Sequence, residues 1–341
     1  MTRTIGDMLD SPQELQSWLH DITACQAMLH AVATTRLLEQ WDSQPVTLAA
    51  LAARTGMEEA RLGRLIRLLA AQGILELRTD GSIGHTPRSR NLRAFRSSIM
   101  VQRIAAQSGL HLGEALRTGA TAFETCFGKP VFEYFAENPE QAGYFGERMS
   151  QMTAQDEPLL LAQLGGPFTL AVDIGGSHGT LLAGLLEQYP QARGIVFDLP
   201  DVAQRAAGRS RTLAVGGRVE AVGGDFFRSV PAGGDLYVLK QILHNWDDGE
   251  CIAILKSVRE AIAPGGRVAI IDRVLPDTVG PDVAFLFDIL MLIWSTGQER
   301  TLCQFQTLLE RAGFATHKVT VNQGRLSIIE ARPVRMGHGA G

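Results

Sequence analysis

Short apolar segments alternate with amphipathic segments along the second half of this 341-residue chain, and this alternation restricts the possible folds more than any other feature. Strand-like runs lie at residues 169–174, 194–199, 219–222, 235–239 and 267–272, and helical patterns at 181–189, 201–209 and 251–262 separate them. Such alternation is typical of a parallel sheet covered by helices. Two last runs, 317–321 and 325–331, flank a glycine-containing turn and predict a hairpin. The predicted fold class is α/β, a parallel sheet closed by a C-terminal antiparallel hairpin.

The first half has a different pattern, which predicts a separate helical domain. Its apolar residues recur at spacings of three and four, as at Leu62, Leu65, Ile66 and Leu69. One hairpin is indicated, where residues 74–77 lead into an Asp-Gly turn. Helix, turn, helix and hairpin is the order of a winged-helix unit. We therefore expect a helical winged-helix-like domain over residues 1–157, an α/β domain over 158–333 and a flexible tail over 334–341.

Charge and cysteine content exclude several classes of protein. The formal net charge is −4, whereas a general nucleic-acid binder usually carries a basic excess. The four cysteines are far apart in sequence, which indicates reduced thiols and neither a disulfide framework nor a zinc site. No signal peptide is apparent, and the longest apolar run, residues 285–294, is too short to span a membrane. We expect a cytoplasmic protein with neither nucleic acid nor membrane as a partner.

A glycine-rich loop follows the first strand of the α/β half and opens a helix. It contains Gly175, Gly176 and Gly179, and Asp198 ends the next strand, where a carboxylate can bind the hydroxyls of a ribose. The nicotinamide fingerprint would need glycine in place of both Ser177 and Thr180, so a nucleoside without a pyrophosphate fits better. A tight strand-to-helix turn that binds no ligand is the alternative interpretation.

Three further residues stand at the carboxyl ends of strands, where open α/β sheets bind their ligands. Asp225 and Phe226 follow the third strand and could contact the amine and the ring of adenine, and Lys240 ends the fourth strand. The agreement of these positions with the glycine loop predicts a nucleoside site.

His244 lies just beyond the fourth strand and is the candidate general base. A histidine is largely neutral at pH 7, and a carboxylate on its other ring nitrogen fixes the tautomer, which suits removal of a proton from a hydroxyl. Asp272, which ends the fifth strand, and Glu299 are the two candidate carboxylates. A structural histidine and a metal site are the alternatives, but no second histidine stands at metal-ligand spacing, so we expect no metal.

These residues together resemble the class I S-adenosylmethionine-dependent O-methyltransferases of the caffeate/hydroxyindole type, which include bacterial enzymes acting on aromatic natural products. The resemblance runs from about residue 15 to 332. The segments that carry it are Leu116–Tyr134, Asp173–Gly176, Phe197–Pro200, Gly224–Phe227, Leu239–Trp246, Leu275–Pro276, Gly297–Thr301 and Ala312–Phe314.

The resemblance implies a Rossmann-like methyltransferase domain, an N-terminal domain used for dimerisation, and a homodimer. It implies S-adenosyl-L-methionine as the cofactor and S-adenosyl-L-homocysteine as the product. The residues expected to contact the cofactor are Gly175, Asp198, Asp225, Phe226 and Lys240. His244 matches the general base of the family, and Asp272 and Glu299 match its two supporting acids.

The chain departs from the family pattern at three positions. Ser177 replaces the usual third glycine, and Asn245 stands where aspartate is frequent, beside the base, where we expect a substrate contact. Asp272 replaces a glutamate, and its shorter side chain makes Glu299 the expected main partner of His244. The acceptor pocket should be apolar. Its candidate residues, which are equally typical of a core, are Met149, Met152, Phe287, Met291 and Trp294.

The predicted function is transfer of a methyl group to a hydroxyl of an aromatic small molecule such as a phenolic, a phenazine or a polyketide. The first alternative is an N-methyltransferase of a heteroaromatic compound, which would not need a base. The second is a winged-helix DNA-binding regulator, suggested by the basic run that contains Arg88, Arg90, Arg93, Arg96 and Arg103 but opposed by the acidic net charge. The third is an inactive scaffold, opposed by the presence of Lys240, His244 and Glu299.

Overall fold

The computed structural model describes residues 11–210 and 215–334, and the predicted tail after residue 334 lies outside the described residues. The chain divides into two compact units, residues 1–104 and 105–341. This division comes earlier than the boundary that we predicted at residue 157. The reason is that the helices between residues 112 and 163 pack with the second unit, where Ala122 contacts Ile293 and Leu160 joins the core beneath the sheet. Helical periodicity does not show which core an apolar face will join.

The first unit combines helices with a small antiparallel sheet. Its helices are α1 (Pro12–Thr34), α2 (Leu48–Thr55), α3 (Glu59–Ala71), α4 (Pro87–Ala94) and α5 (Arg96–Gly109), which crosses the division, with a 3₁₀ turn at Leu37–Glu39. Its strands are β1 (Val46–Thr47), β2 (Leu75–Leu77) and β3 (Ser82–His85), in the spatial order β1-β3-β2. The predicted order of helix, turn, helix and hairpin is present. The two-residue strand β1 was missed because two residues show no periodicity, so this unit is not purely helical.

The second unit is built on an eight-stranded mixed sheet. Its strands are β4 (Leu170–Ile174), β5 (Arg193–Asp198), β6 (Val219–Gly223), β7 (Leu236–Lys240), β8 (Arg267–Leu275), β9 (Arg300–Thr301), β10 (Phe314–Thr320) and β11 (Leu326–Pro333). Its helices are α6 (Leu112–Thr118), α7 (Ala122–Phe127), α8 (Val131–Glu137), α9 (Pro139–Gln163), α10 (Thr180–Gln188), α11 (Pro200–Ser210), α12 (Asp248–Ala261), α13 (Val283–Trp294) and α14 (Leu302–Arg311), with 3₁₀ turns at Gly216–Arg218 and Leu243–Asn245.

The strand order β10-β11-β8-β7-β4-β5-β6 confirms the predicted topology. Strands β4 to β8 pair in parallel, and the terminal β10–β11 hairpin joins β8 antiparallel, while β9 pairs with the end of β8. The chain leaves β4 in one direction through β5 and β6 and then returns to place β7 on the other side of β4. This reversal is the topological switch point at which open α/β sheets bind ligands.

Helices cover both faces of the sheet, and this explains why its central strands are continuous apolar runs. Along β4, Val172 and Ile174 face the core shared with α12 and α14, whereas Ala171 faces the core shared with α9 and α10. In each core the helices contribute fully buried side chains such as Leu255 and Leu185.

The loop after β7, which carries His244, is fixed by two residues distant in sequence. Arg300 is fully buried, and its guanidinium donates to the carbonyl oxygens of Leu243 (3.0 Å) and Trp246 (2.8 Å). Its Nη2 also donates to the Asp248 carboxylate at 2.8 Å. Gly297 packs so closely on this loop that a Cβ would overlap the backbone at His244 and Trp246. Arg300 therefore holds the loop through its carbonyl oxygens. The same loop leaves no room for a side chain at position 297.

We predict that Gly297→Ala destabilises the protein by about 1–3 kcal/mol or more, because the added methyl group meets backbone that cannot rotate away. The measurement is the free energy of unfolding in a urea titration. The matched control is Gly280→Ala, where a Cβ meets nothing within 4 Å and stability should stay within about 0.5 kcal/mol. Equal stability of the two variants would contradict the close packing of Gly297.

Candidate active site

The glycine loop between β4 and α10 turns through several left-handed residues. Gly175 (φ +66°) and Gly179 (φ +71°) adopt this conformation, and so does Ser177 (φ 49°), which is uncommon for a residue with a side chain. The Gly175 amide donates to the carbonyl oxygen of Phe197 at 2.7 Å, which ties the loop to the end of β5. Backbone in a disfavoured conformation that the surrounding structure maintains is a common mark of a functional site.

Asp198 at the end of β5 is oriented by the backbone around it. Its two carboxylate oxygens accept hydrogen bonds from the amides of Ser177 (2.9 Å) and Leu199 (2.8 Å). Burial raises the pKa of Asp198, and these two hydrogen bonds oppose that shift. Each carboxylate oxygen has a second lone pair, so the oriented group can accept from the two hydroxyls of a ribose.

Asp225 and Phe226 lie at the end of β6, next to an aromatic cluster. Asp225 is exposed, and its Oδ1 accepts from the amide of Phe227 at 2.9 Å. The rings of Phe226 and Phe227 meet Trp246 edge to face, at centroid distances of 5.8 and 4.8 Å, and Phe132 stacks on Trp246 at 5.7 Å. Trp246 was not among the predicted site residues. An aromatic residue in a histidine-bearing loop was the only signal for it.

Lys240 at the end of β7 lies among acidic side chains. Its Nζ donates to the side-chain oxygen of Gln241 at 2.7 Å. Burial lowers the pKa of Lys240 to about 8, while Asp156, Asp173 and Asp272 act in the opposite direction. Burial also raises the pKa of Asp173 to about 7. The charge of Lys240 is therefore coupled to acidic groups on both β4 and β8.

His244, Asp272 and Glu299 come together in a buried cluster, although they lie far apart in sequence. The Nδ1 atom of His244 is 3.1 Å from Oε1 of Glu299 and 4.0 Å from Oδ1 of Asp272. The hydrogen-bonded partner of His244 is therefore Glu299. With a proton on Nδ1 that is donated to Glu299, Nε2 is left as the acceptor.

The electrostatics of this cluster follow from its burial. Burial by itself lowers the pKa of His244, but the hydrogen bond to Glu299 and the charges of Asp272 and Glu299 outweigh it and raise the pKa above its ordinary value. Burial raises the pKa of Asp272 to about 7, against the opposing charge of His244. The cluster therefore contains a strengthened base and a carboxyl group poised to titrate near neutrality.

Five buried polar atoms in this cluster have no hydrogen-bond partner among the residues that the structure describes. They are both carboxylate oxygens of Asp272, Oε2 of Glu299, and Nε and Nη1 of Arg273. Leaving a buried polar group unpaired costs about 1–3 kcal/mol, so such groups gather where a ligand or ordered water satisfies them. Arg273 was not predicted as a site residue, although a second charge beside Asp272 in an apolar strand was a usable signal.

The predicted acceptor residues lie on two helices and the histidine loop. Met149 and Met152 are half-buried on one side of α9. Trp294 on α13 stacks on Phe123 at 5.5 Å, within a group of rings that also includes Phe135 and Phe145. Trp294 is thus part of an aromatic core, and this packing limits which of its edges can meet a ligand.

Three other predicted acceptor residues have defined neighbours. Met291 is buried, and Phe287 lies against the guanidinium of Arg273, with Cζ 3.4 Å from the ring centroid. The amide nitrogen of Asn245 donates to the backbone carbonyls of Gln241 (3.1 Å) and Ile242 (3.3 Å). The side chain of Asn245 therefore stabilises its own loop.

The glycine loop suits a bound nucleoside, the ligand that the residues at the strand ends predict. Glycine is favoured at 175 by the left-handed backbone (φ +66°), and at 176 because a Cβ would come within 2.7 Å of the buried Asp173 carboxyl group. These glycines leave backbone exposed for close approach. Among the described residues, no cluster of His, Cys, Asp or Glu is arranged to hold a metal ion, and no helix is long and apolar enough to cross a membrane.

Comparison with known proteins assigns the chain to a family. The model of the O-methyltransferase domain matches residues 110–315. The phenazine O-methyltransferase of Lysobacter antibioticus is 37% identical over 317 residues, which cover 90% of this chain and 92% of the relative. The 8-amino-8-demethylriboflavin N,N-dimethyltransferase of Streptomyces davaonensis is 33% identical over 302 residues, which cover 84% of this chain and 86% of the relative.

Solved structures are similar over nearly the whole chain. The crystal structure of LaPhzM has a TM-score of 0.86 and 35% sequence identity, and the match covers 94% of this chain and 99% of that one. An O-methyltransferase from neocarzinostatin biosynthesis, solved with S-adenosyl-L-homocysteine and 1,4-dihydroxy-2-naphthoic acid, has a TM-score of 0.76 and 29% identity over 91% of this chain and 96% of its own. The chain therefore belongs to the S-adenosyl-L-methionine-dependent O-methyltransferase family, and S-adenosyl-L-methionine is its cofactor.

Proposed function

We propose that this enzyme transfers a methyl group to a hydroxyl of an aromatic small molecule of secondary metabolism, with His244 as the general base. The observation that carries the proposal is the buried hydrogen bond from Nδ1 of His244 to Glu299, 3.1 Å long, which leaves Nε2 free to accept a proton. A phenol has a pKa near 10 and is mostly protonated at pH 7, so a base that removes its proton during transfer accelerates the reaction.

The two acids have distinct parts in this proposal. Glu299 accepts from Nδ1, holds the imidazole in one tautomer and stabilises the imidazolium that forms when Nε2 takes the proton. Asp272, 4.0 Å from the same nitrogen, stabilises the imidazolium electrostatically when it is ionised, without a hydrogen bond. Both carboxylates are almost fully buried, so water screens their charges little. The bound cofactor supplies an already activated methyl group, and the protein's main task is to position the acceptor.

We propose that Gly175, Asp198, Asp225, Phe226 and Lys240 hold the cofactor. The oriented carboxylate of Asp198 suits the ribose, and the position of Phe226 beside Trp246 suits an adenine ring. The aromatic class of acceptor is supported by the phenazine O-methyltransferase among the relatives and by the dihydroxynaphthoic acid in the similar structure. Met149, Met152, Phe287, Met291, Trp294 and Asn245 remain the proposed lining of the acceptor pocket.

An N-methyltransferase is the second candidate, since the relatives include an N,N-dimethyltransferase. A neutral amine attacks without losing a proton first, so methylation of nitrogen does not depend on a base. The two candidates differ in what loss of His244 does to the rate.

We predict that His244→Ala lowers kcat by about 10²- to 10⁴-fold, the usual contribution of a general base. The measurement is transfer of labelled methyl from S-adenosyl-L-methionine to an acceptor found by screening hydroxylated aromatics and their amino analogues. Calorimetric affinity for S-adenosyl-L-homocysteine should stay unchanged. The control is His317→Ala, an exposed histidine on β10, which should keep full activity. Undiminished turnover of the His244 variant, or transfer confined to the amines, would favour the N-methyltransferase.

We also predict a specific pH dependence. Because the hydrogen bond to Glu299 and the two acidic charges raise the pKa of His244, kcat/KM should decline with acid from a pH above the ordinary histidine value of about 6.5. Glu299→Gln removes one charge and weakens the hydrogen bond, so the pKa of His244 falls and the acid limb moves to lower pH. The maximal rate should fall as well, because the imidazolium loses its partner. If the acid limb of the kcat/KM profile stays at the same pH in the variant, His244 is not the titrating base.

We further propose that the chain is a homodimer in which the first unit takes part, as the family resemblance implies. One face of α13 supports a dimer: Leu286, Ile289 and Leu292 are 61%, 45% and 41% exposed and lie on one side of the helix. Exposed apolar faces of this kind mark protein interfaces, and twofold dimers are the commonest oligomers.

Light scattering should give a mass of about 74 kDa, twice the 37.0 kDa of one chain. The double variant Leu286→Glu, Ile289→Glu should shift it toward a single chain. The control is Val321→Glu, at another exposed apolar residue, which should leave the mass unchanged. A wild-type mass of about 37 kDa would refute the dimer.

A further inference from the structure

Arg273 has a buried guanidinium whose N–H donors are not all paired by the residues that the structure describes. The residue is only 8% exposed, and its Nε and Nη1 have no hydrogen-bond partner among the described residues. One face of the guanidinium lies on the ring of Phe287, with Cζ 3.4 Å from the centroid. Burial lowers the pKa of Arg273, which reflects the cost of keeping this charge away from water. The cation–π contact offsets part of that cost but uses none of the N–H donors.

Two other buried arginines of the same unit show what a structural arginine looks like in this fold. Arg267 forms an ion pair with Glu330 at 2.9 Å and donates through Nη1 and Nη2 to the carbonyl oxygens of residues 165, 166 and 167, although its Nε makes no hydrogen bond with a described residue. Arg300 pairs with Asp248 at 2.8 Å and donates to two loop carbonyls. Arg273 forms no such ion pair with any described residue, so a structural role of this kind does not account for it.

Three acidic side chains attract Arg273 electrostatically, but none of them forms an ion pair with it among the described residues. Glu299, Asp156 and Asp272 all stabilise its charge electrostatically. Glu299, however, is hydrogen-bonded to His244, and the carboxylate oxygens of Asp272 are themselves without partners. Buried donors and acceptors that the described residues leave unpaired are usually satisfied by a ligand or by ordered water.

The charge of Arg273 acts on both Lys240 and His244, and its ring contact lies on the helix of the proposed acceptor pocket. Arg273 follows Asp272 directly in β8. Its stacking partner Phe287 belongs to α13, the helix that also carries Met291 and Trp294 of the proposed acceptor pocket. A planar guanidinium with free N–H groups binds planar oxyanions best, and a carboxylate is the common one on aromatic metabolites.

We infer that the methyl acceptor of this enzyme is an aromatic carboxylic acid, and that Arg273 binds its carboxylate while the hydroxyl faces His244. This inference rests on the proposed function, because it takes the acceptor to lie beside His244. The inference specifies the chemical class of the acceptor. Hydroxylated aromatic acids should bind more tightly than the same rings with a neutral substituent in place of the carboxylate. Arg273 could instead bind the carboxylate of S-adenosyl-L-methionine, and the experiment below distinguishes this carboxylate from that of the acceptor.

The test measures binding by calorimetry to enzyme saturated with S-adenosyl-L-homocysteine. The probes are matched pairs of hydroxybenzoic, hydroxynaphthoic and hydroxyphenazine carboxylic acids and their primary carboxamides. We expect at least one acid to bind about 10-fold or more tightly than its amide. Arg273→Gln should weaken binding of that acid by about 10- to 100-fold, the range for a lost hydrogen bond to a charged group, and leave the amide unchanged. Arg273→Lys should retain part of the preference.

The control variant is Arg325→Gln, which removes an exposed arginine in the terminal hairpin and should change neither affinity. The inference is overturned if no acid binds more tightly than its amide, or if Arg273→Gln weakens acid and amide equally. It is also overturned if that variant weakens binding of S-adenosyl-L-homocysteine to the free enzyme and leaves the preference for acids intact, which would assign Arg273 to the cofactor. Full activity of His244→Ala would refute the proposed base without affecting the acid preference, so the two failures are distinguishable.

Discussion

The contact on which the site most depends is the one between Arg300 and the loop after β7. Its guanidinium donates to the carbonyls of Leu243 and Trp246 and pairs with Asp248, so it holds the loop on both sides of His244. Glu299 is the residue before Arg300, and the same anchor therefore sets the distance between acid and histidine. Gly297 completes the arrangement by letting the two backbones touch. A hydrogen bond between residues 55 positions apart becomes a rigid feature in this way.

Burial then determines the chemistry of the groups that this scaffold brings together. Desolvation raises the pKa of Asp272 and Asp173 to about 7 and lowers that of Lys240 to about 8, so several charges respond near neutral pH. His244 moves the other way from what burial alone would do, because Glu299 and Asp272 favour its protonated form. The unpaired atoms of Asp272, Glu299 and Arg273 are the polar wall of this cluster. We infer from these atoms an acceptor that carries both a hydroxyl and a carboxylate.

Much of the fold and part of the site could be predicted from local patterns. Apolar runs marked the strands because both faces of the sheet are covered, and the glycine loop and Asp198 stood at strand ends, where topology gathers ligand contacts. Arg273 had a usable sequence signal, a second charge in an apolar strand, but neither its role nor that of Arg300 could be predicted from sequence. The role of a buried arginine depends on whether carbonyls or carboxylates lie within reach. The division near residue 104 was missed because periodicity shows an apolar face but not its partner.

The sequence by itself determined the order of strands and helices, the parallel sheet with its terminal hairpin, and the candidate histidine and acids. These follow from local patterns of apolar residues, turns and motif spacing. Only the tertiary structure decided the 3.1 Å hydrogen bond of His244 to Glu299, the role of Asn245 in stabilising its own loop, and the lack of a hydrogen-bond partner among the described residues for Nε and Nη1 of Arg273. Each of these depends on distances of a few ångströms between segments remote in sequence, which packing sets and no local pattern records.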